Sequence, residues 1–156
     1  MYIHIIAMKP DRLPHLPCLC ASMRRGARAL TQLYEDSLRP VWLRASQFTI
    51  LQTLSLAGEV SQGELGQMLA MDSTTLTRTL AIMSRRGWIA RRAGEDRRVI
   101  LIRLSDAGKA QFGRALPYWE DVQARVKSKL GRGHWDELIG LSNHVTRMVA
   151  KENHQS

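Results

Sequence analysis

The chain is poor in the residues that build disulfide frameworks, membrane spans and catalytic centres. Only two of its 156 residues are cysteine, Cys18 and Cys20, one residue apart. That spacing is sterically poor for a disulfide, and two cysteines make no secreted framework. A reducing cytoplasm is the expected setting. No apolar run approaches the roughly 20 residues of a membrane span. Residues 1–8 are apolar, but too short for a signal-peptide core and without a basic leader. Met8 is a second candidate start, with residues 1–7 then an extension. The five histidines, His4, His15, His134, His144 and His154, are scattered, with no His-x-x-x-His or Glu-x-x-His pairing. His134 and His144 are ten apart, too far for two ligands on one helix face. Without a convergent polar set, neither an enzyme nor a bound metal or other cofactor is expected. There is no repeat and no low-complexity tract.

Acidic residues are also scarce. Fourteen of them face 23 lysines and arginines, giving a net charge of +9 and a sequence pI near 10.4. Such a balance favours a polyanionic partner, nucleic acid first among them, over a membrane. A solvated basic surface is the plain alternative. The charge is concentrated, however: residues 61–104 hold eight arginines against four acids. At 44% hydrophobic, the chain has enough apolar mass for a sizeable core in one domain or two closely joined lobes.

Pro10, Pro14 and Pro17 mark residues 1–17 as an extended or disordered arm. Residues 18–44 carry a first helix, with Leu19, Met23, Leu30, Tyr34 and Leu38 on one stripe. Pro40 stops it. A second helix over about Ser46 to Leu56 turns Phe48, Leu51 and Leu54–Ser55 inward. Ser61-Gln62-Gly63-Glu64 reads as a capping box, in which hydroxyl and carboxylate satisfy free amides at a helix start. The short helix behind it carries Leu65, Met68 and Leu69. After Arg103, Ser105-Asp106 caps a long helix to about Leu130, with Pro117 inside it as an expected kink. Gly131 and Gly133 break it. A last helix over roughly His134 to Ala150 repeats apolar residues at Trp135, Leu138, Leu141, Val145 and Met148–Val149. Residues 105–150 thus pair with 18–44 as terminal helices around a central lobe, 45–104, and 151–156 form a disordered tail. The fold class is mainly α with one small β-ribbon.

The stretch from Asp72 to Arg103 is the most specific. Asp72 caps a helix on which Leu76, Leu80 and Met83 point inward, while Ser73, Thr74, Thr77, Arg78 and Ala81 point away. Gly87 suits a left-handed end. A two-stranded arginine ribbon follows, Trp88-Ile89-Ala90-Arg91-Arg92 and Arg98-Val99-Ile100-Leu101-Ile102-Arg103, joined by Ala93-Gly94-Glu95-Asp96-Arg97. Short hydroxyls and one guanidinium suit a groove whose floor carries base edges and whose walls carry phosphates. The helix is read as a recognition helix and the ribbon as a wing.

In order and spacing these segments resemble the MarR family of winged helix-turn-helix transcriptional regulators. The residues that carry the likeness are Gln47-Phe48-Thr49-Ile50-Leu51, Ser61-Gln62-Gly63-Glu64-Leu65-Gly66, Ser73-Thr74-Thr75-Leu76-Thr77-Arg78, Arg86-Gly87-Trp88-Ile89, Asp96-Arg97-Arg98 and Leu104-Ser105-Asp106-Ala107-Gly108. The likeness covers about residue 18 to the end. It implies a winged helix-turn-helix lobe and a homodimer whose terminal helices interlock. The implied partner is double-stranded DNA with a near-palindromic operator. The implied DNA-binding residues are Ser73, Thr74, Thr77, Arg78, Arg85, Asp96, Arg97 and Arg98, with Asp96 steadying an Arg98 that reaches the minor groove or its backbone. Ile82 stands where the family usually has a polar or basic residue and is not assigned a contact.

Two further implications concern control, and repression lifted by a small ligand or an oxidant is the expected mode. Cys20 falls where organic-hydroperoxide sensors within this family carry their reactive cysteine, in the frame Leu19-Cys20-Ala21-Ser22-Met23, then Ala27-Arg28-Ala29-Leu30-Thr31. Those sensors continue Phe-Ala-Leu-Tyr after the cysteine, where this chain has Ala21-Ser22-Met23-Arg24. The first turn of a helix favours an anion such as a thiolate. The alternative is that Cys18 and Cys20 are small side chains packed at a dimer seam. Other members bind small aromatic acids between lobe and dimer helices, and Met23, Arg28, Tyr34 and Trp42 are the candidates here. Two other functions fit the composition. One is an architectural DNA binder without effector control. The other is a protein-interaction module on a winged fold.

Overall fold

The computed structural model describes residues 17–152. The arm before Pro17, the residues after Glu152, and His4, His15 and His154 lie outside the described residues. The chain divides into two compact units, residues 1–32 and 33–156.

In the first unit the described residues carry the opening of α1 (Leu19–Leu38). Its apolar residues Leu19, Met23 and Leu30 are all exposed.

The second unit runs from the end of α1 through α2 (Ala45–Ala57), β1 (Val60–Ser61), α3 (Gln62–Leu69), α4 (Ser73–Arg85), β2 (Ile89–Ala93), β3 (Ile100–Leu104), α5 (Asp106–Leu130) and α6 (Arg132–Glu152). A 3-10 turn at Arg39–Val41, with Pro40 inside it, joins α1 to α2. The sheet order is β1-β3-β2, antiparallel throughout. The ribbon is therefore three-stranded rather than two-stranded. Val60 pairs opposite Ile102, and β2 pairs from Ile89 opposite Leu104 to Ala93 opposite Ile100.

The core lies under the helix-turn-helix. Ile50, Leu51 and Leu54 of α2, Leu65 of α3, Leu76, Leu80 and Met83 of α4, and Ile102 of β3 are all essentially sealed from water. Each such leucine contributes about 1.5–3 kcal/mol on burial. Phe48 stacks with Trp119 of α5 at 5.6 Å and tilts against Phe112 at 5.5 Å, which ties α2 to α5. Alternation in β3 puts Ile102 and Leu104 inward and Arg103 outward.

Polar residues close the element ends. Gln47, buried in α2, accepts the Arg44 N–H at 3.0 Å. The capping box is complete: the Glu64 N–H donates to Ser61 Oγ at 3.1 Å, and the Ser61 N–H to Glu64 Oε2 at 2.8 Å. Asp72 accepts from the Thr75 N–H at 2.8 Å. At the far end of α4 the Gly87 N–H reaches Ser84 O at 2.9 Å and the Trp88 N–H reaches Met83 O at 3.0 Å. This is a Schellman end, and Gly87 supplies its left-handed residue at φ +72°. Ser105 caps α5 through the Gly108 N–H at 3.0 Å. Gly108 lies against the Trp88 carbonyl, where a β-carbon would sit 1.9 Å from the oxygen. Only glycine lets α5 start this close to the first wing strand.

Three expectations need correction. Ser55 is exposed rather than inward, because the buried stripe of α2 steps from Leu51 to Leu54. Gly133 lies inside α6, which begins at Arg132; Gly131 alone, at φ +79°, makes the break. The strand over Val60–Ser61 was not expected, since two residues carry no periodicity. Pro117 sits inside a helix that continues to Leu130.

Along α6 the stripe of Leu138, Leu141, Met148 and Val149 is 43–56% exposed. Apolar residues placed at helical spacing are left uncovered there by the chain itself.

Candidate nucleic-acid interface

The helix α4 presents two faces. Leu76, Leu80 and Met83 fix it to the core, and Ser73, Thr74, Thr77, Arg78, Ala81 and Arg85 are exposed opposite them. Among the described residues Arg78 and Arg85 make no ion pair or hydrogen bond, so both guanidiniums face solvent. Ile82 is also exposed on this helix.

The wing tip is closed by backbone bonds from the Gly94 N–H to Val99 O at 2.8 Å and from the Val99 N–H to Asp96 O at 2.9 Å. Asp96 Oδ1 accepts the Arg98 N–H at 2.9 Å, and Arg98 Nε lies 3.7 Å from the same oxygen. The aspartate thus shapes the turn and holds the base of a guanidinium that points outward, with the Arg98 side chain 94% exposed. Arg97, beside it, is exposed as well.

The ribbon arginines divide into two sets. At the base, Glu59 forms an ion pair with Arg92 and lies 4.0 Å from Arg103. The hydrogen bond from Arg92 holds the Glu59 carboxyl below its ordinary range, followed by the charges of Arg92 and Arg103. At the tip, Arg97 has no acidic partner among the described residues, and Arg98 keeps only its 3.7 Å contact with Asp96. Arg91 takes a third course. Its Nη2 donates to Gln62 Oε1 at 3.1 Å, and Gln62 Nε2 donates to Thr77 Oγ1 at 3.0 Å. One side-chain amide thereby joins β2, α3 and α4.

Between these parts lies a cleft of about 670 Å³. Its lining includes Gln62 of α3, Ser73 of α4, and Arg98 and Val99 of the wing, so the start of α4 and the wing tip border one concavity. Two carboxyls near the helix starts have their pKa lowered. Glu64 is lowered by hydrogen bonding to Ser61, side chain before backbone, and Asp72 by its bonds to Thr75.

The structure therefore brings Ser73 and Arg98 to one cleft and joins Asp96 to Arg98. Gln62, Arg91 and Glu59 were missed by sequence reasoning. Gln62 meets partners 15 and 29 residues away. No local pattern encodes contacts of that range.

The control candidates fall in both units. Cys18 and Cys20 are free and exposed, Cys20 being the second residue of α1. Met23 and Arg28, in the same unit, are exposed. In the second unit the Tyr34 hydroxyl donates to Gln123 Oε1 at 2.6 Å, and burial raises its pKa. Trp42 is exposed in a left-handed conformation at φ 54°, and its carbonyl accepts from Arg86 Nη1 at 3.1 Å. The Arg86 guanidinium also lies 4.9 Å from the centre of the Trp88 ring. Among the described residues no group of three His, Cys, Asp or Glu is placed to hold a metal ion. No described helix is long and apolar enough to cross a membrane.

Comparison with known proteins agrees with this geometry. The MarR family model matches residues 43–100. A relative from Bacillus subtilis, the uncharacterized HTH-type transcriptional regulator YwoH, is 30% identical over 137 residues, 86% of this chain and 95% of its own. The organic hydroperoxide resistance transcriptional regulator of the same organism is 32% identical over 91 residues, 58% of this chain and 62% of its own. Among solved structures, the transcriptional regulator MOSR of M. tuberculosis in complex with DNA superposes with a TM-score of 0.78 at 34% identity, covering 86% of this chain and 97% of that one. The capped helix α4, the Asp96–Arg98 wing and the length of these matches lead to one conclusion: the chain belongs to the MarR family of winged helix-turn-helix transcriptional regulators.

Proposed function

We propose that the chain is a homodimeric repressor that binds a pseudo-palindromic DNA operator and leaves it when a small ligand or an oxidant acts on it. The observation that carries DNA reading is the shared cleft: the hydroxyl-rich start of α4 and an outward Arg98 border one concavity. A helix in a major groove and a basic tip on the flanking backbone is the division of labour that specific duplex binding requires. Ser73, Thr74, Thr77 and Arg78 make base and nearby phosphate contacts; Arg85, Arg97 and Arg98 contact backbone or minor groove, with Asp96 as the brace. The relative MOSR, solved in complex with DNA, supports DNA as the partner. The uncovered stripe Leu138, Leu141, Met148 and Val149, with Leu19, Met23 and Leu30 in the first unit, supports dimerisation.

Release acts through the dimer helices. The exposed, free Cys20 and the similarity to an organic hydroperoxide resistance regulator favour an oxidant as the effector. An organic hydroperoxide oxidises the Cys20 thiolate to the sulfenic acid and leaves as the alcohol; condensation with a small thiol then gives a mixed disulfide and water, placing polar bulk on a surface that the partner covers. Cys18 and Cys20 lie too close along the chain to resolve one another.

Competition gel shifts test the DNA function. A selected duplex should outcompete random duplex by roughly 10³-fold or more at physiological salt. Equal competition identifies an architectural binder, and no shift at all identifies a protein-interaction module. Organic hydroperoxide at up to an equimolar dose should release DNA from the wild type and not from Cys20→Ser. Equal release from both, or release from neither, removes the cysteine from the mechanism.

A further inference from the structure

We propose that Gln62 is a specificity-determining residue, whose amide, anchored by Arg91, fixes the Thr77 hydroxyl as a hydrogen-bond donor toward the bases. The inference rests on α4 being the DNA-reading helix.

The polarity of the chain of bonds follows from chemistry. A guanidinium has donors only, so the Gln62 atom facing Arg91 must be the carbonyl oxygen Oε1. That leaves the amide nitrogen Nε2 facing Thr77, 3.0 Å from Oγ1. A side-chain amide nitrogen, its lone pair delocalised into the carbonyl, has donors only, so Thr77 Oγ1 accepts. Its own hydrogen is then not needed inside the protein. Threonines in helices often spend that hydrogen on the carbonyl four residues back. Thr79 does so, donating to Thr75 O at 2.9 Å, as Thr49 does to Ala45 O at 3.0 Å. Thr77 makes no such bond among the described residues. Its hydrogen is left for the exposed face of α4.

A free threonine hydroxyl rotates and serves equally as donor or acceptor. Here one lone pair is committed to Gln62, and the charge on Arg91 polarises the amide and strengthens its donation. Thr77 therefore favours base edges that present acceptors: guanine O6 and N7, adenine N7 or thymine O4. Gln62→Glu reverses this. A carboxylate accepts from Arg91 and from Thr77 alike, so the Thr77 hydrogen turns inward. Lone pairs then face the groove, and edges that present a donor, cytosine N4 or adenine N6, gain.

The test is selection from a random duplex pool with full-length wild type, Thr77→Val, Gln62→Met and Gln62→Glu. The ratio of affinities between base pairs at one position is read, so a uniform loss from added negative charge cancels. Thr77→Val identifies the position that Thr77 reads, in both half-sites. At that position Gln62→Met should relax discrimination by roughly 3- to 10-fold, the worth of one hydrogen bond. Gln62→Glu should move preference toward the donor-presenting pair, and should do nothing in a Thr77→Val background. If Thr77→Val changes one position while both Gln62 variants keep the wild-type preference there, or if Thr77→Val changes none, Gln62 has no such role. A wild type that selects no sequence overturns the DNA-reading function itself and this assignment with it. Circular dichroism on each variant confirms that the lobe is folded.

Discussion

The central lobe and the last helix meet the same solvent in opposite ways. Between Leu43 and Leu104 the chain satisfies itself. Its helix ends are capped by Ser61, Asp72 and Gly87, its core leucines are sealed, and Arg92 and Arg103 at the wing base are matched by Glu59. Along α6 an apolar stripe is left open: Leu138, Leu141, Met148 and Val149 are about half exposed at helical spacing. The lobe is finished as one chain and is free to present charge outward at Arg78, Arg97 and Arg98. On the proposed function, a second copy covers the last helix. A regulator that must hold two lobes a fixed distance apart needs both kinds of surface.

The strongest way to break this contrast is to make α6 polar. Leu138→Glu with Leu141→Glu should forfeit about 3–6 kcal/mol of burial per chain. Sedimentation should then give a monomer at micromolar concentration, with DNA binding lost and the lobe still folded. The converse substitution spares α6 and attacks the lobe. Gly108→Ala drives a β-carbon against the Trp88 carbonyl and should cost about 1–3 kcal/mol, seen as a lower denaturant midpoint.

Substitutions at the outward charges sharpen the lobe's side of the comparison. Arg78→Ala should cost roughly 1–3 kcal/mol on the selected duplex and relax specificity, measured by titration against single-base variants. Arg98→Ala should weaken all sequences nearly alike and lower the slope of log affinity against log salt by about 0.9, with a smaller change in Arg97→Ala. An unchanged slope would remove the wing from the interface. The smallest expected effect is on acid stability. Glu59, Glu64 and Asp72 all have folded-state pKa values below ordinary ones of 4.5, 4.5 and 3.8. Stability from a lowered carboxylate is present above its unfolded pKa and is lost as pH falls through the folded one. The lobe should therefore loosen as pH falls below about 4.5, and Glu59→Gln should make that loss shallower. These carboxylates are exposed, so the change in midpoint should be slight.

Sequence disclosed the parts whose causes are local. The capping box needs only Ser61 and Glu64, the left-handed helix end needs Gly87, and the faces of α4 follow from the spacing of Leu76, Leu80 and Met83. The Asp96–Arg98 brace was legible for the same reason, since its members are two residues apart. What depends on distant segments meeting was not legible. The two-residue β1 exists because Val60 lies opposite Ile102, and Glu59 matters because Arg92 comes to it across the sheet. Gln62 read only as a residue behind an N-cap, and its bonds to Thr77 and Arg91 arise from three elements converging. Gly133 was misjudged as a breaker: glycine is tolerated in a helix at a cost of about 1 kcal/mol, and α6 runs through it.

The central claim is that two self-sufficient lobes, held by unfinished helices, read one duplex together. Selection of bound sequences from a random duplex pool with the full-length wild type tests it most directly. The account predicts an enriched pseudo-palindrome with half-site centres ~10 bp apart, one helical turn. Enrichment of a single unpaired half-site, or of no sequence at all, would contradict it.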